Sequence, residues 1–402
     1  MGGKIAVIST VRVIAFHAME TIGFRFKNFS PLLVGSILIA CSGRQMSYEG
    51  IPLLECKPNS ITVEVSELSS YISELEVFPL AKDTIAFKGV AKLLISDRHI
   101  VLSGGVVFSI STEGDNLMKI GNVGRGPGEY LSIKDIALSP DGKELWCLEL
   151  YNSVLRYNST DGIFLGKVDV PMAIGYAKGV IPMSPTVFAL YIPNPTSGHC
   201  LKFFDINGNE TGHAMPYCKY NFDMGFSIPV TVTDGRVYAV SPESKTPTVV
   251  YCDGIPKRQH LFDFDKKNVP DAYYSLNQED PWNVLGELFE QDYYKQVSSV
   301  FFPKGDFCFR AFGKESSSWN YYINKEFTKG IRWPSVGVFT PPICPIASDD
   351  GYVYFPYEDY GYLSLEEEKD ALKRLVIQQY GLPEHTGATY VIKAKFDVEN
   401  VR

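Results

Sequence analysis

The sequence predicts an all-β fold, a six-bladed β-propeller of four-stranded blades with two helical insertions, and two periodic features carry that prediction. Short apolar segments flank a tight polar turn six times: LLISDRHIVLS around Asp97, ALSPDGKELWCL around Asp141, IPMSPTVFALY around Ser184, VTVTDGRVYAV around Asp234, VFFPKGDFCFRAF around Lys304 and IASDDGYVYFPY around Asp350. The steps between these anchors are 44, 43, 50, 70 and 46 residues, the length of one four-stranded blade with a single long interval. A second series of turns falls between the first anchors, in FSISTEGDNLMKIG from Phe108, RYNSTDGIFLGK from Arg156 and FFDINGNETG from Phe203. Each sets Gly beside Asp, Asn or Glu between extended apolar runs, as a hairpin turn requires. One hairpin then joins the first two strands of a blade, and another joins its outer two.

The N-terminus comes first along the chain. Phe24-Arg25-Phe26-Lys27 precedes the apolar run Pro31 to Ala40, and Cys41-Ser42-Gly43 follows it. A short basic region, about ten apolar residues and small residues at the cut describe a secretory signal, too short for a spanning helix. Residues 1–40 are therefore expected to be a signal peptide, with Met19 as the alternative start. Leu38-Ile39-Ala40-Cys41 resembles the bacterial lipobox, which implies lipid attachment at Cys41. Each buried CH₂ of such a chain contributes about 0.8 kcal/mol, and several chains together hold a protein stably on a membrane. Residues 41–60 are then a lipidated N-terminus and linker, and 61–402 the propeller. By resemblance to lipoprotein sorting rules, Ser42 to Gly50 favour an outer-membrane anchor facing the periplasm, with surface exposure as the alternative.

Within the propeller, the early segment Ile61 to Val65 is expected to pair with the final blade, because a ring must cover its exposed edges. GNVGRGPGEY, Gly121 to Tyr130, carries four glycines and a proline. It lacks the G-K-[ST] of a P-loop, and its G-x-G-x-G is not the dinucleotide fingerprint, so it reads as a structural turn. The long interval holds an insertion, Pro270 to Gln296, with a helix capped by Asp280 and opened by Pro281. A second helix starts at the capping box Ser364 and Glu367 and ends at Gly381 and Pro383. The last strand is ATYVIKAKF, Ala388 to Phe396.

Gly121 to Lys167 resembles an NHL-type repeat: a glycine-rich G-x-G-P-G-[EQ]-aromatic motif, a strand, Asp-Gly, a second strand, an Asn and an outer hairpin. With the lipobox, the anchors and the lead-in from IPLLE to ELEVFPLAKDT, the mature chain is similar to the six-bladed β-propeller lipoproteins of Bacteroides-type bacteria. One departure stands out. Cys147-Leu148-Glu149 precedes Leu150-Tyr151-Asn152 where an NHL strand carries Val-x-Asp before its Asn. The resemblance implies that GRGPGEY crosses from the outer strand of one blade to the inner strand of the next. Crossover loops gather around the central channel, where Arg125 and Glu129 would face a ligand.

Composition narrows the function. Apolar residues make up 45% and charged residues 21%, an ordinary globular balance, and a net charge of −8 argues against nucleic acid as a partner. There is no G-x-S-x-G elbow and no H-E-x-x-H. Beyond Cys41 the seven cysteines are odd in number and irregular in spacing, and read mostly as buried small apolar residues. His199-Cys200, His213 and Cys218 hold zinc-type ligands without a zinc spacing, so no metal site is assigned there. The lactonase-like propellers hold calcium through Asn, Asp and Glu oxygens. Glu149 and Asn152 are the candidates for such a calcium-dependent lactonase or esterase. The favoured reading is non-catalytic: a binding or scaffolding protein, held on a membrane by its lipid, for a glycan, a peptide or an envelope protein. Tyr357, Asp359 and Tyr360 offer aromatic faces and an acid for that role.

Overall fold

The computed structural model describes residues 52–80, 87, 90–192, 198–216, 230–233, 236–239, 248–252, 255–270, 290–294, 296–301, 305–313, 318–335, 346–358, 389–399 and 401. All belong to the compact unit Gly43–Arg402. Three strands precede the first blade: β1 (Leu53–Cys56), β2 (Ile61–Thr62) and β3 (Ile72–Pro79). Blade 1 is β4 (Val90–Ile95), β5 (Arg98–Ser103), β6 (Val106–Ser111) and β7 (Leu117–Ile120). A two-stranded ribbon follows, β8 (Asn122–Val123) with β9 (Glu129–Tyr130). Blade 2 is β10 (Ile133–Leu138), β11 (Glu144–Glu149), β12 (Ser153–Asn158) and β13 (Phe164–Asp169). Blade 3 is β14 (Gly179–Ser184), β15 (Val187–Tyr191), β16 (His199–Asp205) and β17 (Glu210–Pro216).

Blade 4 is β18 (Val230–Thr233), β19 (Arg236–Ala239), β20 (Thr248–Cys252) and β21 (Ile255–Phe262). Blade 5 is β22 (Gln296–Phe301), β23 (Phe307–Phe312), β24 (Ser318–Ile323) and β25 (Gly330–Ser335). Blade 6 is β26 (Ala347–Asp349), β27 (Tyr352–Glu358) and β28 (Thr389–Phe396), completed by β3. The anchors at Asp97, Asp141, Ser184 and Asp350 each lie between the first and second strands of one blade, those at Asp234 and Lys304 lie outside the described residues, and the three secondary turns join outer strands. The six-bladed, all-β prediction holds.

The closure differs from the expectation. Ile61–Thr62 does not join the final blade but runs parallel to the outer strand of blade 5, Ile61 opposite Ile331. The ring closes through β3, antiparallel to β28 from Tyr390 opposite Pro79 to Phe396 opposite Ile72. Its ISELEVFP pattern alternates polar and apolar residues, suiting an outer strand with one covered face. Residues 53–56, inside the stretch expected to be linker, form β1 and add in parallel to the edge of blade 4. The N-terminal segment thus caps two blade edges that would otherwise present unpaired backbone groups. ATYVIKAKF is the last strand along the chain, as expected, and is the third of blade 6, with β3 outside it. The helix expected from Ser364 lies outside the described residues. So does most of the one from Pro281, but within its expected span Tyr294 bridges Asn268 and Gln296 opens β22, so the helix does not extend that far.

The core lies between blades. In β11, Leu145 and Cys147 pack with Ile100, Leu102 and Val107 of blade 1, whereas Trp146 and Leu148 pack with Val180, Phe188 and Leu190 of blade 3. A strand buried on both faces reads as a continuous apolar run, which is why ELWCLE does not alternate. Cys56, Cys147, Cys200 and Cys308 are buried. Burial pushes the Cys56 thiol up to about 12, so it is a small apolar group in function.

Candidate functional site

The glycine-rich crossover is held by two buried tyrosines. The Tyr130 hydroxyl donates to Ile120 O (3.0 Å) and accepts from Val107 N–H (3.2 Å), while the Tyr157 hydroxyl donates to Gly128 O (3.1 Å). Between them, Glu129 folds back and its carboxylate accepts the Gly126 N–H at 2.7 Å. A Cβ at Gly124 would stand 2.1 Å from that carboxylate oxygen, so the loop is glycine-rich because it wraps Glu129 closely. Gly128 needs its glycine for another reason: φ is +72°, and a Cβ there would meet Phe164 Cγ at 2.9 Å. Gly128→Ala is expected to lower stability by about 1–2 kcal/mol, from left-handed strain and the pressed ring, measured as a urea midpoint shift. Glu129 is therefore a loop-forming residue. Arg125 is exposed.

The next two predicted ligands also serve the fold. Glu149 is buried, and its Oε1 accepts the Leu131 N–H at 2.8 Å. Asn152 is fully buried at φ +61°, a backbone region that costs a non-glycine residue and persists only where the surroundings impose it. Its amide donates to Gly175 O (2.7 Å) and its Oδ1 accepts from Ala177 N–H (2.9 Å). These bonds engage Glu149 Oε1 and Asn152 Oδ1, two of the oxygens considered for calcium, within the fold. Both tie the blade 2 turn to the neighbouring crossovers. Leu150 N–H to Ser132 O (3.1 Å) and Ile133 N–H to Gly105 O (2.9 Å) bring the equivalent turns to the same end of the propeller.

What this scaffold displays is a patch that sequence reasoning missed. Tyr151 precedes Asn152 and is 53% exposed; Tyr176 lies between the two groups that Asn152 binds and is 62% exposed; Leu131 is 37% exposed. Lys134 stands beside them. In β10 the register passes from Ile133 opposite Glu149 to Asp135 opposite Leu148, leaving Lys134 as the extra residue of a bulge. A bulge re-aims a side chain, and here the Lys134 ammonium sits 5.1 Å from the centroid of the Tyr176 ring and 3.4 Å from Ala177 O. Burial, and then the charge of Lys178, lowers its pKa. The equivalent bulge in β4 leaves Ala91 as the extra residue, so the cation belongs to blade 2.

Just inside lies a buried relay. Lys92 of β4 donates to Asp135 Oδ1 of β10 at 2.7 Å, and Asp135 Oδ2 accepts the Val180 N–H of β14 at 3.0 Å. Three inner strands are thereby stitched in sequence. Burial pushes the Asp135 carboxyl up, opposed by the Lys92 charge and the hydrogen bonds.

The remaining predictions separate cleanly. Cys41, Asp359 and Tyr360 lie outside the described residues, and Tyr357 is described only as part of β27. Of their neighbours, Tyr354 is buried core. His199 and His213 do come together, with ring centroids 3.9 Å apart, but Cys200 is buried and Cys218 is outside the description. Among the described residues, no three His, Cys, Asp or Glu side chains converge on a metal position. An aromatic residue inside a predicted interblade loop, as in PMAIGYAKG, was the available signal for Tyr176. Nothing in the sequence marks a bulge at Lys134.

Fold and site together define a six-bladed propeller that presents rigidly held aromatic side chains and a lysine at one end. A family model described as a 6-bladed beta-propeller, DUF5128, matches residues 58–336, more than half of the chain, and the chain belongs to that family. Among solved structures, a candidate exported protein of Bacteroides fragilis is similar at 17% identity over 86% of this chain and 99% of its own, with a TM-score of 0.62. U3-55K is matched at 10% identity over 79% of this chain and 98% of its own, with a TM-score of 0.37. The RRP9 WD40 repeats are matched at 10% identity over 80% and 100%, with a TM-score of 0.37. At such identities the Bacteroides likeness speaks for the fold alone. No curated protein matches the chain.

Proposed function

We propose that this protein is a non-catalytic binding propeller working outside the cytoplasm, with its ligand resting on the Leu131, Tyr151 and Tyr176 patch of blades 2 and 3. The observation that carries the reading is the Asn152 clamp: a buried side chain on a left-handed backbone holds the peptide groups on both sides of an exposed tyrosine. Tyrosine with a fixed backbone offers contact area at little entropic cost, as binding surfaces require. The export of the Bacteroides fragilis neighbour, taken from its description, and the Leu38 to Cys41 lipobox support secretion and a lipid on Cys41. An outer-membrane anchor facing the periplasm completes the proposal. The calcium-dependent alternative is the less supported, since Glu149 Oε1 and Asn152 Oδ1 already accept backbone N–H groups.

The test is a panel of immobilised glycans, peptides and envelope proteins probed with the purified protein and with a Tyr151→Ala/Tyr176→Ala double variant. Exposed side chains on held loops carry little stability, so the double variant is expected to unfold within about 0.5 kcal/mol of the parent. It is expected to lose at least about tenfold in affinity for whatever the parent retains. Undiminished binding by the double variant would move the site elsewhere on the propeller.

A further inference from the structure

Resting on that reading, we infer that the ligand of the blade 2 and blade 3 patch is an acidic saccharide, its carboxylate meeting Lys134 while a sugar ring lies against Tyr176. The Lys134 ammonium makes one long hydrogen bond, to Ala177 O at 3.4 Å, and lies over the Tyr176 ring at 5.1 Å. No carboxylate among the described residues pairs with it, in a chain whose net charge is −8. Elsewhere the structure handles such lysines differently: Lys92 is matched by Asp135 at 2.7 Å and Lys202 by Glu210 at 3.1 Å. Lys134 is also placed by a bulge and flanked by a tyrosine more than half exposed. A half-buried ammonium with donors to spare is complementary to an anion arriving with a ligand. Lowering of its pKa by burial and by Lys178 agrees with a cation lacking its counter-charge.

The neighbouring surface favours a sugar over an acidic peptide. A peptide that binds by adding a strand needs an open strand edge, and this patch consists of turns and crossovers instead. What it offers is flat, amphipathic ring surface beside a point charge, which suits the apolar face of a pyranose bearing a carboxylate.

Oligogalacturonate of four to six units, an arbitrary uronate probe on the order of the patch in size, separates the outcomes by calorimetry with the purified protein. The same oligomer as its methyl ester and a poly-glutamate peptide serve as comparisons. The inference expects the acid form to bind at least about tenfold more tightly than the ester. Lys134→Gln should bring the two to within about threefold, chiefly by weakening the acid form, and Tyr176→Ala should weaken both. Equal binding of acid and ester, or an unchanged preference in Lys134→Gln, overturns the inference and leaves the binding patch intact. Binding of poly-glutamate alone assigns the patch to acidic peptides and overturns it too. Failure of all three probes overturns it as well, whereas the panel and the Tyr151→Ala/Tyr176→Ala variant decide the wider reading separately.

Discussion

Asp135→Ala is expected to lower the stability of the propeller by about 3–5 kcal/mol, read as a large shift of the urea midpoint. The size follows from what the substitution strands. Lys92 would remain in the interior as an ammonium without its carboxylate, and the Val180 N–H would lose its acceptor. A buried charge deprived of its partner is far more costly than the intact pair is favourable. A double change, Lys92→Met with Asp135→Asn, should therefore recover most of the loss, to within about 2 kcal/mol of the parent, because it removes the charge and keeps an oxygen for Val180. Lys92→Met alone gives the pH signature. Burial already holds the Asp135 carboxyl above its usual range, and loss of the ammonium raises it further. The folded variant then holds a proton that the unfolded chain releases. Its stability is greatest below the unfolded carboxyl pKa of about 4 and is lost as pH rises through the folded value. A variant no more sensitive to pH than the parent would show that the relay is not buried in solution.

The contrast between what could be read from the chain and what could not has a physical origin. Asp141-Gly142 and its counterparts announce hairpins because the turn chemistry is local: Gly142 at φ +73° and the Ser139 hydroxyl on Asp141 lie within four residues. All six blades followed from such turns. The ring closure did not, because the partners Ile72–Pro79 and Thr389–Phe396 are more than three hundred residues apart in sequence. Either early segment could satisfy an edge strand's need for backbone bonds. At the site, the motif reading found the loops correctly but took their acids and amides for ligands. Glu129, Glu149 and Asn152 shape the loops that expose other residues. Lys134 gained its orientation from a one-residue slip between two strands, and no residue type signals that slip.

Asn152 joins the two themes, because its loss should be felt in both stability and binding. Asn152→Ala removes the acceptor for Ala177 N–H and the donor to Gly175 O, both supplied by a fully buried side chain, and leaves a Cβ at φ +61°. Each stranded backbone group costs about 1–3 kcal/mol, and alanine tolerates the left-handed region less well than asparagine, so a total of about 2–5 kcal/mol is expected after partial relaxation. Asn152→Gly keeps the backbone conformation at ease while losing the same two bonds, and should be milder by about 1 kcal/mol. The two variants thus separate strain from hydrogen bonding in a pair of urea titrations. Binding adds the decisive comparison. Tyr176 retains its side chain in Asn152→Gly but loses the two bonds that fix its backbone, so affinity should fall at least about fivefold at a temperature where the variant is fully folded. An Asn152→Gly variant that binds as the parent does would show that the crossover holds Tyr176 without the clamp. The strain at Asn152 would then belong to blade packing alone.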